Sequence, residues 1–176
     1  MKEKLIVLVG PTASGKTDMG VRLAKKIDGE IISADSMQIY KYMDIGTAKP
    51  TVDEMDGVPH YMIDHIKPDE EFSVAVFREL SEKCIEDILS RNKRPIIVGG
   101  TGLYVNSLTK PWNFSKTEPN ETLSGELEAL AQEKGTYYLH ERLREVDPIS
   151  AQNIHPNNVK RVIRALEVYK TSGKTK

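Results

Sequence analysis

Residues 5–17 read LIVLVGPTASGKT, and this segment sets the architecture that we expect for the chain. The unbroken apolar run Leu5–Val9 predicts a strand that is buried on both faces, as in a parallel sheet. Gly10–Thr17 then matches the pattern G-x-x-x-x-G-K-[ST] between that strand and a helical segment. In this pattern the glycines let backbone N–H groups turn toward a phosphate, and the helix N-terminus adds partial positive charge. The segment therefore predicts a phosphate-binding loop.

Strands and helices alternate through the first half of the chain. A helical spacing of apolar residues follows the loop, and Gly29 is expected at the end of that helix in a left-handed conformation. Residues 30–34 predict a second strand, residues 77–88 an amphipathic helix, and residues 95–98 a third buried strand. This order predicts an α/β fold, with a parallel sheet of the P-loop NTPase type flanked by helices. Near residue 110 the composition becomes polar, which predicts a domain boundary, and the spacing beyond it is purely helical.

Composition and charge exclude several classes of protein. The 25 basic and 26 acidic residues give a net charge of −1, so any binding site for a polyanion must be local. Cys84 is the single cysteine and leaves no intramolecular disulfide. No apolar run approaches the roughly 18 residues of a membrane-spanning helix, and the N-terminal run is too short for a secretory signal. A soluble, cytoplasmic protein without a membrane partner is expected.

The phosphate-binding loop alone leaves the ligand open. Most such loops bind nucleoside triphosphates, so one candidate is an ATP-dependent small-molecule or nucleotide kinase. That function favours a carboxylate at the end of a buried strand near Mg²⁺, whereas the third strand ends in Gly99–Gly102 without an acid. Asp35 directly follows the second strand and is the well-placed carboxylate. It either caps a helix together with Ser36 or serves catalysis, by supporting Mg²⁺ or accepting a proton.

Three loops are expected to meet at one edge of the sheet, because ligands of open parallel sheets bind at the carboxyl ends of the strands. These loops cover residues 10–17, 35–40 and 99–104. The glycines of the last loop let its backbone approach a ligand, and Thr101 offers a hydroxyl, although an ordinary strand-to-helix turn explains the same residues. Gln38 either contacts a ligand or is an exposed loop residue.

Five ordered motifs along the chain resemble those of the tRNA dimethylallyltransferase (isopentenyltransferase) family. They are GPTASGKT at 10–17, DSMQIY at 35–40, DIGTAKP at 44–50, GGTGLY at 99–104, and IHPN at 154–157 followed by Arg161 and RALEV at 164–168. The resemblance implies that dimethylallyl diphosphate, rather than ATP, occupies the phosphate-binding loop. It further implies that the five-carbon group is transferred to N6 of the adenosine on the 3′ side of the tRNA anticodon.

The resemblance also assigns expected roles to individual residues. Asp35 is expected to take a proton from the attacking amine, while Lys16 and an arginine stabilise the leaving diphosphate. Magnesium is the expected cofactor, held by the Thr17 hydroxyl. The expected catalytic residues are Asp35, Thr101, Lys16 and Arg161. The expected diphosphate ligands are Gly10, Thr12, Ala13, Ser14, Gly15, Lys16, Thr17 and Arg164. The expected tRNA contacts are Asp35, Ser36, Met37, Gln38, Thr101, Lys160, Arg161 and Arg164.

The helical second half is expected to contact the tRNA anticodon stem-loop. By resemblance, residues 1–110 form the P-loop α/β core, 111–150 a helical insertion that contacts tRNA, and 151–176 a helix that returns to the core. The last helix places its apolar residues on one face and most of its cations on the other, which fits either a solvated surface or a contribution to the site. A monomer is expected. Because the chain ends short of the family's usual length, a tRNA-binding fragment without activity is a third candidate.

Other side chains with possible roles have ordinary structural explanations. The four histidines, His60, His65, His140 and His155, show no metal-ligand spacing and are expected to be structural or surface residues. Trp112 and Phe114 either anchor the linker or stack on a base.

Overall fold

The computed structural model describes residues 5–111 and 120–172, except for the side chains of Glu121 and Ser172. The chain divides into two compact units, Met1–Trp112 and Asn113–Lys176. This boundary lies two residues beyond the one that we expected at 110. The aromatic candidates Trp112 and Phe114 lie outside the described residues.

The first unit is built on a four-stranded parallel sheet with the strand order β1-β4-β2-β3. The strands are β1 (Ile6–Val9), β2 (Gly29–Ser33), β3 (His60–Tyr61) and β4 (Arg94–Gly99). The predicted α/β class with a parallel sheet is confirmed, but the sequence analysis missed β3. Two residues are too few to show the period of a strand, so only the pairing with β2 reveals it.

Helices cover both faces of this sheet. The helices of this unit are α1 (Lys16–Ile27), α2 (Val52–Met55), α3 (Val74–Ser90) and α4 (Gly102–Thr109), of which α1 packs on one face and α3 and α4 on the other. Successive strand residues point to opposite faces of a sheet. Ile31 and Ile96 accordingly pack in one apolar cluster with α1, whereas Ile32 and Ile97 pack in another with α3 and α4. The sheet of the first unit therefore lies between two helical layers.

The burial of β1 differs from the prediction. Because β4 lies between β1 and β2, β1 stands at an edge of the sheet among the strands that the structure describes. Its first three residues are half-buried, and Val9 is 58% exposed. Burial on both faces belongs instead to the central strands β2 and β4.

The turn from α1 into β2 also differs from the prediction. Asp28, not Gly29, adopts the left-handed conformation at the end of α1, with a φ of 52°. Gly29 is the first residue of β2, where a Cβ would lie 2.9 Å from the carbonyl oxygen of Arg94. The close approach of β4, rather than a positive φ, therefore favours glycine at this position.

A network of ion pairs surrounds Glu30 near the start of β2. Glu30 is 1% exposed and accepts hydrogen bonds from both terminal nitrogens of Arg91, at 2.6 and 2.7 Å. The Tyr61 hydroxyl donates to Glu30 at 2.7 Å, and Lys93 Nζ lies 3.1 Å away. The hydrogen bonds from Arg91 lower the pKa of Glu30 to about 2, although desolvation alone would raise it. Glu30 is therefore a charged structural residue with a nearly complete set of partners.

The second unit is helical in its described part. It contains α5 (Glu121–Lys134), α6 (Thr136–Val146), α7 (Pro148–Asn153) and α8 (Val159–Ser172). The predicted apolar faces are confirmed, because Leu127, Leu143 and Val162 share one buried cluster. Asp147 caps the start of α7, because its Oδ1 accepts a hydrogen bond from Ser150 N at 3.0 Å. The return of residues 151–176 to the α/β core stays a prediction.

Within residues 5–111 and 120–172, the structure contains no helix with both the length and the apolar character to cross a membrane.

Candidate functional site

The loop between β1 and α1 has a backbone that suits an anion. Ala13 and Gly15 adopt left-handed conformations, with φ values of 64° and 76°, and Gly15 immediately precedes α1. A Cβ at Gly10 would lie 2.8 Å from Ser14 Oγ, so the loop folds tightly over this glycine. Alternating backbone conformations of this kind turn neighbouring N–H groups toward one point, and the N-terminus of α1 adds partial positive charge. The geometry fits the predicted phosphate-binding role.

An open cavity of about 380 Å³ lies against this loop. It brings together several predicted site residues, because the carboxyl ends of parallel strands share one edge of the sheet. It also includes residues that the sequence analysis did not assign to the site. The lining consists of residues 12–18, Asp35, Gln38, residues 48–50 and Glu54.

Asp35 is half-buried and lies two residues beyond the end of β2. Its Oδ1 accepts a hydrogen bond from Met37 N at 3.0 Å, the arrangement of an Asx turn. Residues 36–39 form turns, and the structure lacks the helix that the capping interpretation of Asp35 and Ser36 requires. Of the two interpretations left open by the sequence, the position of Asp35 in the cavity favours the one in which its carboxylate serves the site.

Gln38 is 8% exposed, so the alternative in which Gln38 is an exposed loop residue is wrong. Ser33 Oγ donates to Gln38 Oε1 at 2.9 Å, and Gln38 Nε2 donates to the Ala48 carbonyl oxygen at 2.9 Å. These bonds connect the end of β2 to the segment 44–50. Contact between Gln38 and a base stays a prediction.

The glycine-rich loop after β4 supports the segment that carries Asp35. A Cβ at Gly99 would lie 2.8 Å from Ala34 Cα and would collide with the Ala34 carbonyl group, so the close approach here involves the residue that follows β2 rather than a ligand. Thr101 Oγ1 accepts a hydrogen bond from Ser36 N at 2.9 Å, and Thr101 N donates to the Ala34 carbonyl oxygen at 3.0 Å. Thr101 thus fixes the backbone beside Asp35, and its catalytic role stays a prediction.

Lys49 holds the segment 44–50 in place beside the cavity. The side chain is 5% exposed, and Nζ donates to Asp44 and Asp64 at 2.6 Å each and to the Tyr40 carbonyl oxygen at 2.9 Å. Desolvation lowers the pKa of Lys49, but the hydrogen bonds to the two carboxylates outweigh it and leave the pKa raised. The motif at 44–50 marked this segment in the sequence, whereas the partner Asp64 is brought near only by the fold.

The cavity offers oxygen ligands of the kind that hard divalent cations prefer. Thr17, Asp35 and Glu54 line it, and Lys16 Nζ donates to the Pro11 carbonyl oxygen at 3.0 Å. In the part of the chain that the structure describes, no group of three or more His, Cys, Asp or Glu side chains forms a metal site. A cation here would therefore take most of its ligands from a bound phosphate and from water, which is usual for magnesium.

The cations of the last helix that were predicted for the site belong to the second unit. Lys160 and Arg161 are exposed in α8. Arg164 is half-buried and donates from Nη1 to Glu167 Oε2 at 3.2 Å. Contact of these residues with diphosphate or tRNA stays a prediction.

Comparisons with known proteins identify the family. A family model described as IPP transferase matches residues 38–176. This chain belongs to the IPP transferase family. Among relatives of this chain, the tRNA dimethylallyltransferase of Acetivibrio thermocellus is 59% identical over 95% of the chain and 53% of the relative.

Solved structures of similar proteins agree with this family. The full-length tRNA isopentenylpyrophosphate transferase of Bacillus halodurans is 52% identical, with a TM-score of 0.65 over 98% of this chain and 57% of its own. A eukaryotic dimethylallyltransferase acting on tRNA is 34% identical, with a TM-score of 0.82 over 98% of this chain and 43% of its own. The chain thus spans about half the length of the curated relatives that it matches.

Proposed function

We propose that this chain carries the donor site and the proton acceptor of a tRNA dimethylallyltransferase. The enzyme transfers the dimethylallyl group of dimethylallyl diphosphate to N6 of the adenosine on the 3′ side of the tRNA anticodon and releases diphosphate. One observation carries the proposal: in a member of the IPP transferase family, the phosphate-binding loop and Asp35 line the same cavity. The alternative of an ATP-dependent kinase gains no support from relatives that are named tRNA dimethylallyltransferases.

The phosphate-binding loop provides the site for the leaving group. As the adenine N6 forms its bond to the allylic carbon, the bond from that carbon to the diphosphate oxygen breaks, and negative charge grows on diphosphate. Backbone N–H groups of residues 12–17, the N-terminus of α1 and Lys16 stabilise this charge more in the transition state than in the ground state. Fixed backbone groups are effective here because they need no reorganisation during the reaction.

Asp35 accepts the proton that the amine loses. An exocyclic adenine amine is a poor nucleophile, so a carboxylate that orients it and takes its proton favours the attack. The hydrogen bond from Met37 N fixes Oδ1 of Asp35, and the bond from Ser36 N to Thr101 fixes the neighbouring backbone. Thr101 therefore acts on the site by holding this segment in position.

Magnesium is the cation that this site suits best. The Thr17 hydroxyl and the carboxylates of the cavity would supply oxygen ligands to the cation, and the diphosphate and water would supply the others. When bound, magnesium withdraws charge from the leaving diphosphate as a Lewis acid.

The tRNA substrate is recognised outside the diphosphate subsite. An adenine in a structured anticodon loop must leave its stack to reach Asp35, which requires a cavity that is open on the side of the base. The segment 35–38 and Thr101 are the proposed base contacts in the first unit. Lys160, Arg161 and Arg164 of α8 are the proposed tRNA contacts in the second unit. The protein is proposed to act as a monomer.

A donor-competition assay tests this function. Radiolabelled dimethylallyl diphosphate is incubated with the chain, Mg²⁺ and unmodified tRNA, with ATP as competitor. We expect the donor to bind, label to enter tRNA, and excess ATP to displace the donor poorly. Tight binding of ATP without affinity for the prenyl diphosphate would contradict the proposal and favour a kinase. Binding of donor and tRNA without turnover would instead support the third candidate, a fragment that needs the rest of the family domain.

A further inference from the structure

His60 in β3 directs one ring nitrogen into the interior of the first unit without a partner. Nδ1 lies 2.8 Å from the Val58 carbonyl oxygen, and this contact requires the hydrogen to be on Nδ1. In the neutral ring, Nε2 is then a hydrogen-bond acceptor. Nε2 is buried, and within the described residues it has no hydrogen-bond partner. Desolvation lowers the pKa of His60, which favours the neutral ring.

A small cavity of about 20 Å³ lies beside His60. A single water needs roughly 10–15 Å³ of such space and two to four polar partners, so this cavity has room for one water. Its polar lining residues are Thr17, Ser33, Gln38 and His60. Gln38 Oε1 accepts one hydrogen bond from Ser33 and keeps a second lone pair, so a water there can donate to both Gln38 and His60.

Thr17 connects this small cavity to the diphosphate site, because it lines both cavities. A hydroxyl that gives a lone pair to a cation must donate its hydrogen to some acceptor, and the acceptor fixes its orientation. In P-loop NTPases a carboxylate near a strand end helps to hold the magnesium. The loop after β4, residues 99–102, carries no carboxylate. The buried Nε2 of His60 belongs to a residue of the small cavity that Thr17 also lines, and it is an acceptor without a partner among the described residues.

We propose that His60 is a positioning residue: through one water in the small cavity, its Nε2 receives the hydrogen bond that orients the Thr17 hydroxyl toward magnesium diphosphate. The inference rests on the proposed function, because it assumes that the loop binds a diphosphate. His60 does not touch the substrate. It acts through the water and Thr17, and its effect is confined to binding that depends on magnesium.

Two substitutions separate the roles of the two ring nitrogens. His60→Asn retains a donor near the Nδ1 position, for Val58, but has no acceptor at the Nε2 position. His60→Gln reaches the Nε2 position with an amide oxygen. His65→Asn is the matched control, because His65 is an exposed histidine of the same unit that lines neither cavity.

The readout is calorimetric binding of inorganic diphosphate, with and without MgCl₂, to the unchanged chain and the three variants. Loss of an outer partner of a metal ligand typically lowers affinity about 10–100-fold. With magnesium we expect His60→Asn to bind about tenfold more weakly or worse, and His60→Gln and His65→Asn to stay within about twofold of the unchanged chain. Without magnesium, all four proteins should bind diphosphate alike.

Unchanged affinity of His60→Asn in magnesium would overturn the inference, and so would an equal loss with and without magnesium. If the unchanged chain binds no diphosphate, the proposed function fails as well, so the two failures are distinguishable. If His60→Asn does not fold, a crystal structure of the unchanged chain decides. A water about 3 Å from His60 Nε2 supports the inference, and a dry cavity overturns it.

Discussion

Glu30 lies near the start of β2 and Asp35 lies two residues beyond its end, and the surroundings of the two carboxylates differ in kind. Glu30 is 1% exposed and has Arg91, Tyr61 and Lys93 as partners. Asp35 is half-buried, accepts one hydrogen bond from a backbone N–H and lines a cavity of about 380 Å³. A carboxylate surrounded by donors stabilises the fold, whereas one with few partners remains available to a substrate proton. The partners, rather than the residue type, distinguish the structural carboxylate from the one that we propose to be functional.

Removal of the charge at Asp35 is expected to have the largest effect. Asp35→Asn should lower the rate of label transfer from dimethylallyl diphosphate to tRNA by about 10²–10⁴-fold, because the amide cannot accept the proton. Its oxygen can still accept the hydrogen bond from Met37 N, so the thermal midpoint should change little. Asp69→Asn, at an exposed position of the same unit, is the control and should retain activity. Turnover by Asp35→Asn at the normal rate would refute the role of Asp35 as the base.

The next largest effect is expected at the close contact between Gly99 and Ala34, the residue before Asp35. Gly99→Ala should lower the free energy of unfolding by about 3 kcal/mol, because the added Cβ collides with the Ala34 backbone, which cannot rotate away. Gly102→Ala is the matched control, since a Cβ there meets nothing within 4 Å and the residue begins α4. Urea unfolding measures both variants. Equal stability of the two would contradict the close approach of β2 and β4.

The motif-bearing parts of the molecule were predictable from the sequence. Residues 5–17 specify a strand, a phosphate-binding loop and a helix within one short segment, and the structure has all three. The position of Asp35 at the cavity also followed, because parallel strands end at one edge. Both inferences use information that lies within a few residues along the chain or in a general rule of topology.

Features that depend on distant partners were not predictable in the same way. β3 exists only through its pairing with β2, and Lys49 has Asp64 as a partner 15 residues away. The edge position of β1 follows from the strand order, which no local pattern contains. Gly99 was expected to let the backbone approach a ligand. Its close neighbour is instead Ala34, which lies 65 residues earlier in the chain and is not visible in any local pattern. In each case the deciding contact is made by the tertiary fold.

A smaller effect, on stability alone, is expected at the other end of β2. Glu30→Gln should lower the free energy of unfolding by about 2 kcal/mol near neutral pH, because Arg91 loses its buried carboxylate partner. This cost is below that of a fully buried pair, since the Arg91 side chain is 38% exposed. Binding of inorganic diphosphate should remain unchanged, in contrast to the expected loss of turnover in Asp35→Asn.

The pH dependence provides a control for the Glu30 substitution. The pKa of Glu30 is lowered from 4.5 to about 2, so the charged form stabilises the folded chain above pH 4.5. That contribution is lost as the pH falls from about 4.5 toward 2, where the folded carboxylate also takes up a proton. The difference in urea stability between the unchanged chain and Glu30→Gln should therefore shrink across this range. A difference that is constant with pH would contradict the ionic role of Glu30.

The most direct test of the account is a crystal structure of the chain with an unreactive dimethylallyl diphosphate analogue, Mg²⁺ and an unmodified anticodon stem-loop. We predict that the diphosphate lies against residues 12–17 and that an Asp35 oxygen lies about 3 Å from N6 of the extruded adenine. A diphosphate bound elsewhere, or an Asp35 carboxylate that faces solvent away from N6, would contradict the account.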